Sequence, residues 1–232
     1  MKNPQSAIRI PQSLWLIRHG ESIGNLARQK AEKDGAKIIE TPCREPDVEL
    51  SENGVEQSER LGKWFASQSE KPTVVYASPY LRGQITAQIL LNLSKIELNI
   101  RTDERLRERE LGIFDSLTKD GAIEKFPELC DLRERWGKFY FRPPGGESWA
   151  DVIVRLRSFI ETDLLKLRDE NVLIVTHEVV IRCFRYILEG LSEHQIMAID
   201  KASDVENGAI TSYEFDAERN KMTLKFDNYL PL

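Results

Sequence analysis

The sequence predicts an α/β protein: a three-layer α/β/α sandwich with a mostly parallel central sheet and a partly helical excursion at residues 101–146. Short apolar runs alternate with segments whose apolar residues recur at helical spacing. Helices placed between strands favour a parallel sheet that is covered on both faces. The length of 232 residues and the hydrophobic fraction of 41% are typical of one soluble domain, taken as residues 1–232.

The N-terminal half contains three predicted strands. Residues 14–17 form a short apolar run that predicts a buried strand, followed by a helix from about Ser22 to Lys33. Ser51 is a predicted N-cap, because Glu52 and a one-sided group of apolar residues follow it. The other predicted elements are a strand at residues 73–77, a helix at residues 81–93 and a weaker strand at residues 96–100.

The C-terminal half begins with the excursion, which is highly charged and becomes aromatic between Trp136 and Phe141. Those aromatic side chains are expected to pack the excursion rather than to bind a ligand. Ser148 and Asp151 fit a capping box for a helix that reaches about Leu167. The remaining predicted elements are a strand at residues 172–176, a helix up to residue 188 and a terminal strand pair at residues 209–215 and 222–228.

Composition excludes several classes of protein. The sequence has 33 Lys and Arg residues and 38 Asp and Glu residues, which gives a net charge of −5. This balance argues against a nucleic-acid-binding surface. The sequence contains no run of 18 apolar residues, so no membrane span is predicted. The first residues contain no apolar run suited to a secretory signal. Cys43, Cys130 and Cys183 are odd in number and far apart, so neither a disulfide framework nor a zinc ribbon is expected. We therefore expect a cytoplasmic protein.

Common catalytic motifs are absent from the sequence. His177-Glu178 is followed by Ile181, where a zinc-binding HExxH helix needs a second histidine. Gly62-Lys63 is followed by Trp64, which excludes a P-loop, and neither GxGxxG nor GxSxG occurs. Enzymes built on these motifs are therefore excluded.

Histidine is scarce, and two of the three histidines stand at the ends of predicted strands. His19 follows the strand at residues 14–17, and His177 follows the strand at residues 172–176. Ligands of open parallel sheets bind at the carboxyl ends of strands, so both side chains are candidates for one site. His194 lies in a polar helix start and is expected at the surface.

Residues suited to phosphate surround these histidines in the sequence. Arg18 precedes a turn into a helix N-terminus, where free N–H groups favour anions, and its planar guanidinium suits phosphate. Asn25 could donate another hydrogen bond, and Arg82 begins the helix after the second strand. Glu108 is a candidate proton donor for a leaving oxygen, although its acidic neighbours leave a solvated charged face as the alternative.

Taken together, these motifs resemble the histidine phosphatase superfamily, which is also called phosphoglycerate-mutase-like. The blocks occur in the family's order between about Leu14 and Arg182. They are Leu16-Ile-Arg-His-Gly-Glu-Ser22 with Asn25, Asp47-x-x-Leu50-Ser-x-x-Gly54 with Gln57, Ala77-Ser-Pro-x-x-Arg82 with Thr86-Ala87, Leu106-x-Glu108-x-x-x-Gly112, Gly146-Glu-Ser148, and Val175-Thr-His177 with Arg182.

The resemblance implies a metal-independent, two-step phosphoryl transfer without a cofactor. In that interpretation His19 attacks phosphorus and carries a phosphohistidine, while Glu108 protonates the leaving group. Arg18, Arg82 and His177 form the phosphate pocket, and Asn25 assists. The excursion becomes an insertion over the active site.

Hydrolysis of a small phosphomonoester is the first functional hypothesis, because a mutase-type insertion between Gly112 and Pro143 is not recognisable. A cofactor-dependent phosphoglycerate mutase is the second hypothesis, and a weakly active module that binds phospho-ligands is the third. The expected partner is a small phosphorylated metabolite, with neither nucleic acid nor membrane, and a homodimer is left open as an alternative to a monomer.

Two charged features of the sequence lie close to the candidate site residues. Glu178 stands where the family commonly has glycine, and we expect its carboxylate to face away from the phosphate pocket, as a helix N-terminus favours. The arginines at positions 101, 105, 107 and 109 are expected to form surface ion pairs, with an extension of the anion site as the alternative.

Overall fold

The computed structural model describes residues 11–231. Residues 1–10, on which the prediction of no secretory signal depends, lie outside the described part, as does Leu232. Within residues 11–231 there are six strands: β1 (Ser13–Arg18), β2 (Val74–Ala77), β3 (Ile100–Thr102), β4 (Asn171–Thr176), β5 (Ile210–Asp216) and β6 (Lys221–Tyr229). The same residues contain eight α-helices: α1 (Ile23–Lys33), α2 (Glu52–Ser67), α3 (Leu81–Ser94), α4 (Lys119–Lys125), α5 (Pro127–Tyr140), α6 (Trp149–Thr162), α7 (Glu178–Glu189) and α8 (Glu193–Ala202).

The strands form one mixed sheet in the order β3-β2-β4-β1-β5-β6. The first four strands are parallel, and the terminal pair β5 and β6 adds an antiparallel edge. The prediction of an α/β fold with a mostly parallel sheet is therefore confirmed.

Side chains of β1 alternate between two cores, as the two-residue period of a strand requires. Leu14 and Leu16 belong to the core packed with α6 and α7, whereas Trp15 and Ile17 belong to the core packed with α2 and α3. Helices thus cover both faces of the sheet, which gives the predicted three layers.

The register of the central strands positions the two histidines. In the parallel pair of β1 and β4, Arg18 is the partner of Thr176, so both strands end at the same level. His19 and His177 follow directly, and the backbone N–H of His19 donates to the Thr176 carbonyl at 3.0 Å. The switch from parallel to antiparallel neighbours occurs at β1, where a crevice opens.

Predicted caps and most element positions are confirmed, with two boundaries displaced. The third strand is Ile100–Thr102 rather than residues 96–100, because Ile96 and Leu98 pack against the α2/α3 core instead. The helix after Ser148 ends at Thr162 rather than near Leu167. There Asp163 leaves the helical conformation and accepts a hydrogen bond from Arg105 Nη2 at 2.6 Å.

The excursion is partly helical, as predicted, with α4, α5 and short 3₁₀ turns at Glu104–Leu106 and Gly112–Phe114. The packing role expected for its aromatic residues applies to Phe139 and Phe141, which are 3% exposed, but not to Trp136 and Tyr140, which remain more than half exposed. All three cysteines are unpaired. None of the helices in the described part of the chain has the length and apolar character that crossing a bilayer requires.

Candidate active site

The two strand ends bring His19 and His177 into contact. Their ring centroids are 4.9 Å apart, and both side chains are almost completely buried. Arg18, Asn25, Arg82 and Glu108 line, together with His19, a cavity of about 570 Å³. His177 lies directly behind His19. The structure thus brings all six predicted site residues together.

The turn after His19 is held by the N-terminus of α2. A Cβ at Gly54 would lie 1.9 Å from the Glu21 carbonyl oxygen, so only glycine permits this approach. Gln57 accepts a hydrogen bond from the Glu21 N–H at 2.7 Å, and the Ser51 N–H donates to the Glu21 carbonyl at 2.9 Å. The block with Gly54 and Gln57 therefore fixes the turn that carries His19.

Hydrogen bonds define the tautomer of His19. Nδ1 lies 2.7 Å from the Gly20 carbonyl oxygen, which can only accept, so the ring proton is on Nδ1. Arg82 Nε donates to Nε2 at 3.2 Å. Burial, and then the charges of Arg82 and Arg18, hold the pKa of His19 well below its usual range. Nε2 is therefore unprotonated, and its lone pair accepts the hydrogen bond from Arg82.

His177 is held by the segment after β2. Its Nε2 lies 2.7 Å from Ser78 Oγ, and the ring of Tyr80 packs edge-on at 5.2 Å. Within residues 11–231 its Nδ1 has no hydrogen-bond partner. Burial, followed by the charges of Arg82 and His19, lowers the pKa of His177 well below its usual range. This second imidazole is therefore also neutral.

Each phosphate-pocket arginine faces a carboxylate. Arg82 Nη2 donates to Glu45 Oε1 at 2.7 Å, and Nη1 donates to the Glu45 carbonyl at 2.8 Å. Arg18 Nη1 lies 3.4 Å from Glu178 Oε2 and also donates to the Val205 carbonyl. The expectation that Glu178 faces away is wrong, because its carboxylate lines the cavity, where pairing with Arg18 offsets the unfavourable proximity to an anion site.

The two ends of the Asn25 amide have different roles at the start of α1. Its Oδ1 accepts from the Ser22 N–H at 3.0 Å and completes a capping box. The Ser22 donor fixes the orientation of the amide, so Asn25 Nδ2 remains available to a ligand. Asn207, which the sequence did not indicate, donates to the His19 carbonyl at 3.0 Å and closes this side of the cavity.

Glu108 lines the cavity and is partly buried, rather than standing on the outer surface. Its Oε1 accepts from the Arg109 N–H at 2.7 Å, which leaves Oε2 free to hold a proton. Burial raises the pKa of Glu108, and the nearby charge of Glu178 adds to the rise, while the Arg109 hydrogen bond opposes it. A carboxyl group whose pKa is raised is better suited to general-acid chemistry than an ordinary one.

The cavity walls carry more carboxylates than cations. The charged lining residues are Arg18, Arg28, Arg44, Arg82 and Arg109 against Glu32, Glu45, Glu108, Glu110, Asp115, Glu178, Asp204 and Glu206. Of the excursion's arginines, Arg105 and Arg107 form the expected ion pairs, whereas Arg109 lines the cavity. His194 is exposed, as predicted.

Sequence reasoning missed Glu45, Tyr80 and Asn207. Tyr80 Oη donates to Glu110 at 2.8 Å, and its ring lies under the Arg82 guanidinium at 5.0 Å. Glu45 lies in an irregular segment between α1 and α2, where no periodic pattern indicates a contact with α3. No cluster of three or more His, Cys, Asp or Glu side chains suited to a metal ion occurs between residues 11 and 231.

Comparisons with known proteins agree with this geometry. The family model of the histidine phosphatase superfamily (branch 1) matches residues 14–228. A 2,3-bisphosphoglycerate-dependent phosphoglycerate mutase of Rhizobium meliloti (strain 1021) is 32% identical over 197 residues, which are 83% of this chain and 87% of the relative.

Solved structures share the fold. The alpha-ribazole phosphatase of Shigella flexneri superposes with a TM-score of 0.75 at 22% identity, covering 95% of this chain and 98% of that one. A mycobacterial glucosyl-3-phosphoglycerate phosphatase has a TM-score of 0.68 at 24% identity, with 94% and 98% coverage. At these identities the likeness concerns the fold alone.

Proposed function

Because this chain belongs to branch 1 of the histidine phosphatase superfamily, we propose that it is a phosphatase that hydrolyses a small phosphomonoester. The proposal rests on the catalytic groups gathered at the ends of β1 and β4. His19 supplies a neutral imidazole, Arg18 and Arg82 supply positive charge, and Glu108 supplies an acid.

In the first step, His19 Nε2 attacks phosphorus in line with the leaving oxygen. The N–P bond forms as the P–O bond breaks, and Glu108 gives its proton to the departing alcohol. Arg18 and Arg82 offset the charge on the equatorial oxygens. His177 lies outside the cavity lining and packs against the His19 ring, which it helps to hold in place.

In the second step, water attacks the phosphohistidine. Glu108, now a carboxylate, accepts a proton from that water, the N–P bond breaks, and inorganic phosphate leaves. The His19 imidazole and the Glu108 acid are then restored, so the cycle balances with water as the only co-reactant.

The charge of the cavity walls carries the choice of hydrolysis over mutase activity. A bisphosphoglycerate-dependent mutase must hold a carboxylate and a second phosphate beside the reacting one. Here seven carboxylates besides the acid Glu108 outnumber five guanidinium groups, and no lysine lines the cavity. Like-charge repulsion disfavours such a highly anionic intermediate.

Phosphoglycerate mutase is the second candidate, favoured by the 32% identity to a relative of that name. The third candidate is a module that binds phospho-ligands without turnover. It is favoured by the ion pair between Glu178 and Arg18, which competes with the phosphate for the guanidinium group.

The test is phosphate release from a panel of phosphomonoesters by the wild type, His19→Ala and His194→Ala. We expect release by the wild type and by His194→Ala, the matched control at an exposed histidine, and none by His19→Ala. An acid-labile phosphoprotein should form in the two active proteins. If the wild type released no phosphate and His19 stayed unlabelled, the proposal would be wrong.

A parallel assay separates hydrolysis from isomerisation. With 3-phosphoglycerate and a trace of 2,3-bisphosphoglycerate, a phosphatase yields inorganic phosphate, whereas a mutase yields 2-phosphoglycerate. Isomerisation faster than phosphate release would establish the second candidate instead. Tight phosphate binding without a phosphoprotein would establish the third.

A further inference from the structure

The loop that carries Glu108 is bound to the rest of the protein through its backbone. Thr176 Oγ1, at the end of β4, donates to the Leu106 carbonyl at 2.7 Å. Arg155, on α6, donates to the Arg105 carbonyl through Nη1 and to the Glu108 carbonyl through Nη2 at 3.2 Å. The backbone of Glu108 and of two residues that precede it is therefore held by β4 and α6.

Glu147 holds the far side of the same loop. Its backbone N–H donates to the Glu110 carbonyl at 2.9 Å, and its Oε2 accepts from the Glu110 N–H at 3.1 Å. The close packing of Gly112 against Gly146 brings the two segments together, since a Cβ at Gly112 would lie 2.6 Å from the Gly146 nitrogen.

Glu147 and Arg155 also bind each other. Arg155 Nε lies 2.9 Å from Glu147 Oε1, and Nη2 lies 3.2 Å from Glu147 Oε2, a two-point contact between planar groups. The two side chains are only 14% and 11% exposed. Arg107 adds a third contact to Glu147 at 2.9 Å. Glu147 and Arg155 thus form a clamp: they bind each other, and both also hydrogen-bond to backbone groups of the loop that carries Glu108.

We propose that Glu147 and Arg155 are positioning residues that fix Glu108 for proton transfer to the leaving group. This inference rests on the proposed function. Neither side chain lines the cavity, so neither touches substrate. Misplacement of a reacting group by about 1 Å can cost on the order of 100-fold in rate. The clamp connects the Gly146-Glu-Ser148 block to the block that contains Glu108, although the two lie 38 positions or more apart in the sequence.

The measurement that tests this proposal is how strongly kcat/KM depends on the leaving group of the ester. An alkyl ester such as glycerol phosphate needs a proton on its departing alkoxide, whereas p-nitrophenyl phosphate releases a stable phenolate without one. We would compare kcat/KM for both esters, because this constant ends at the first irreversible step, the departure of the alcohol.

For Arg155→Lys and the isosteric Glu147→Gln, we expect kcat/KM to fall about 10- to 100-fold for glycerol phosphate and less than about threefold for p-nitrophenyl phosphate. Arg185→Gln is the matched control. It breaks another largely buried ion pair, in which Arg185 and Glu189 are 7% and 19% exposed, away from the acid loop. The control should leave the ratio of the two constants unchanged.

Equal losses on both esters in the two clamp variants would overturn the inference, as would the same change of ratio in Arg185→Gln. These outcomes presuppose an active wild type, so they are distinct from failure of the proposed function, in which the wild type hydrolyses neither ester. Thermal unfolding of each variant shows that the rates belong to folded protein. Glu147→Gln keeps the size and the acceptor oxygen, so a folded variant remains available if Arg155→Lys does not fold.

Discussion

Replacing Gly54 by alanine should destabilise the protein and loosen the turn that carries His19. The added Cβ would lie 1.9 Å from the Glu21 carbonyl oxygen. Neither atom can rotate away, because the oxygen belongs to the backbone and the Cβ is fixed by it. The N-terminus of α2 would have to retreat by roughly 1 Å, an overpacking that typically costs about 1–3 kcal/mol.

The retreat also breaks hydrogen bonds. The contacts of Glu21 with Gln57 and Ser51, now 2.7 and 2.9 Å, would exceed hydrogen-bond length. Each is worth about 1 kcal/mol, whereas alanine returns at most about 1 kcal/mol through helix propensity. We expect a net loss of about 2–4 kcal/mol.

Urea unfolding measures this loss as a lower midpoint at constant slope. Gly24→Ala is the control, because its Cβ would meet side-chain atoms only, the nearest being a Val48 methyl group at 3.3 Å. That variant should unfold near the wild-type midpoint. A Gly54→Ala protein as stable as Gly24→Ala would refute the close-approach argument.

Three further predictions concern the site. Activity on alkyl esters should fall as pH rises through the raised pKa of Glu108, because the protonated acid is then lost. On the acidic side it should fall only well below the usual pKa range of histidine, because the pKa of His19 is lowered. A pH–rate profile that increases steadily above neutrality would contradict this. Glu45→Gln should lower the inhibition constant of inorganic phosphate about 2- to 10-fold, since Arg82 would lose a competing carboxylate; an unchanged or higher constant would show that Glu45 does not compete. Ser78→Ala should lower kcat by about 10-fold or more, because it removes the hydrogen bond to His177 Nε2, whereas Ser67→Ala, at an exposed hydroxyl, should not change kcat.

The fold was predictable because its signals are local. Ser51 and Ser148 are caps that the residues after them indicate, and the apolar runs of β1 and β4 are too continuous to be exposed strands. His19 and His177 were predictable as neighbours because parallel strands end at a common edge of the sheet.

The counter-charges of the site were not predictable. Glu45 reaches Arg82 from a segment without periodicity, and the contact depends on how α3 and that segment pack in three dimensions. Glu178 was placed wrongly because helix-dipole reasoning considers only the element on which a residue lies. The ion pair with Arg18, on a neighbouring strand, is the stronger influence.

The register between β1 and β4 also determines which parts of the molecule can change in length. Backbone pairing of Arg18 with Thr176 sets the separation of the two imidazoles, and a slip of one residue would displace His177 by about 3.3 Å and turn its side chain to the opposite face. Insertions or deletions in the excursion leave that pairing untouched. The cavity walls can therefore be remodelled for a new substrate while the reacting pair keeps its geometry.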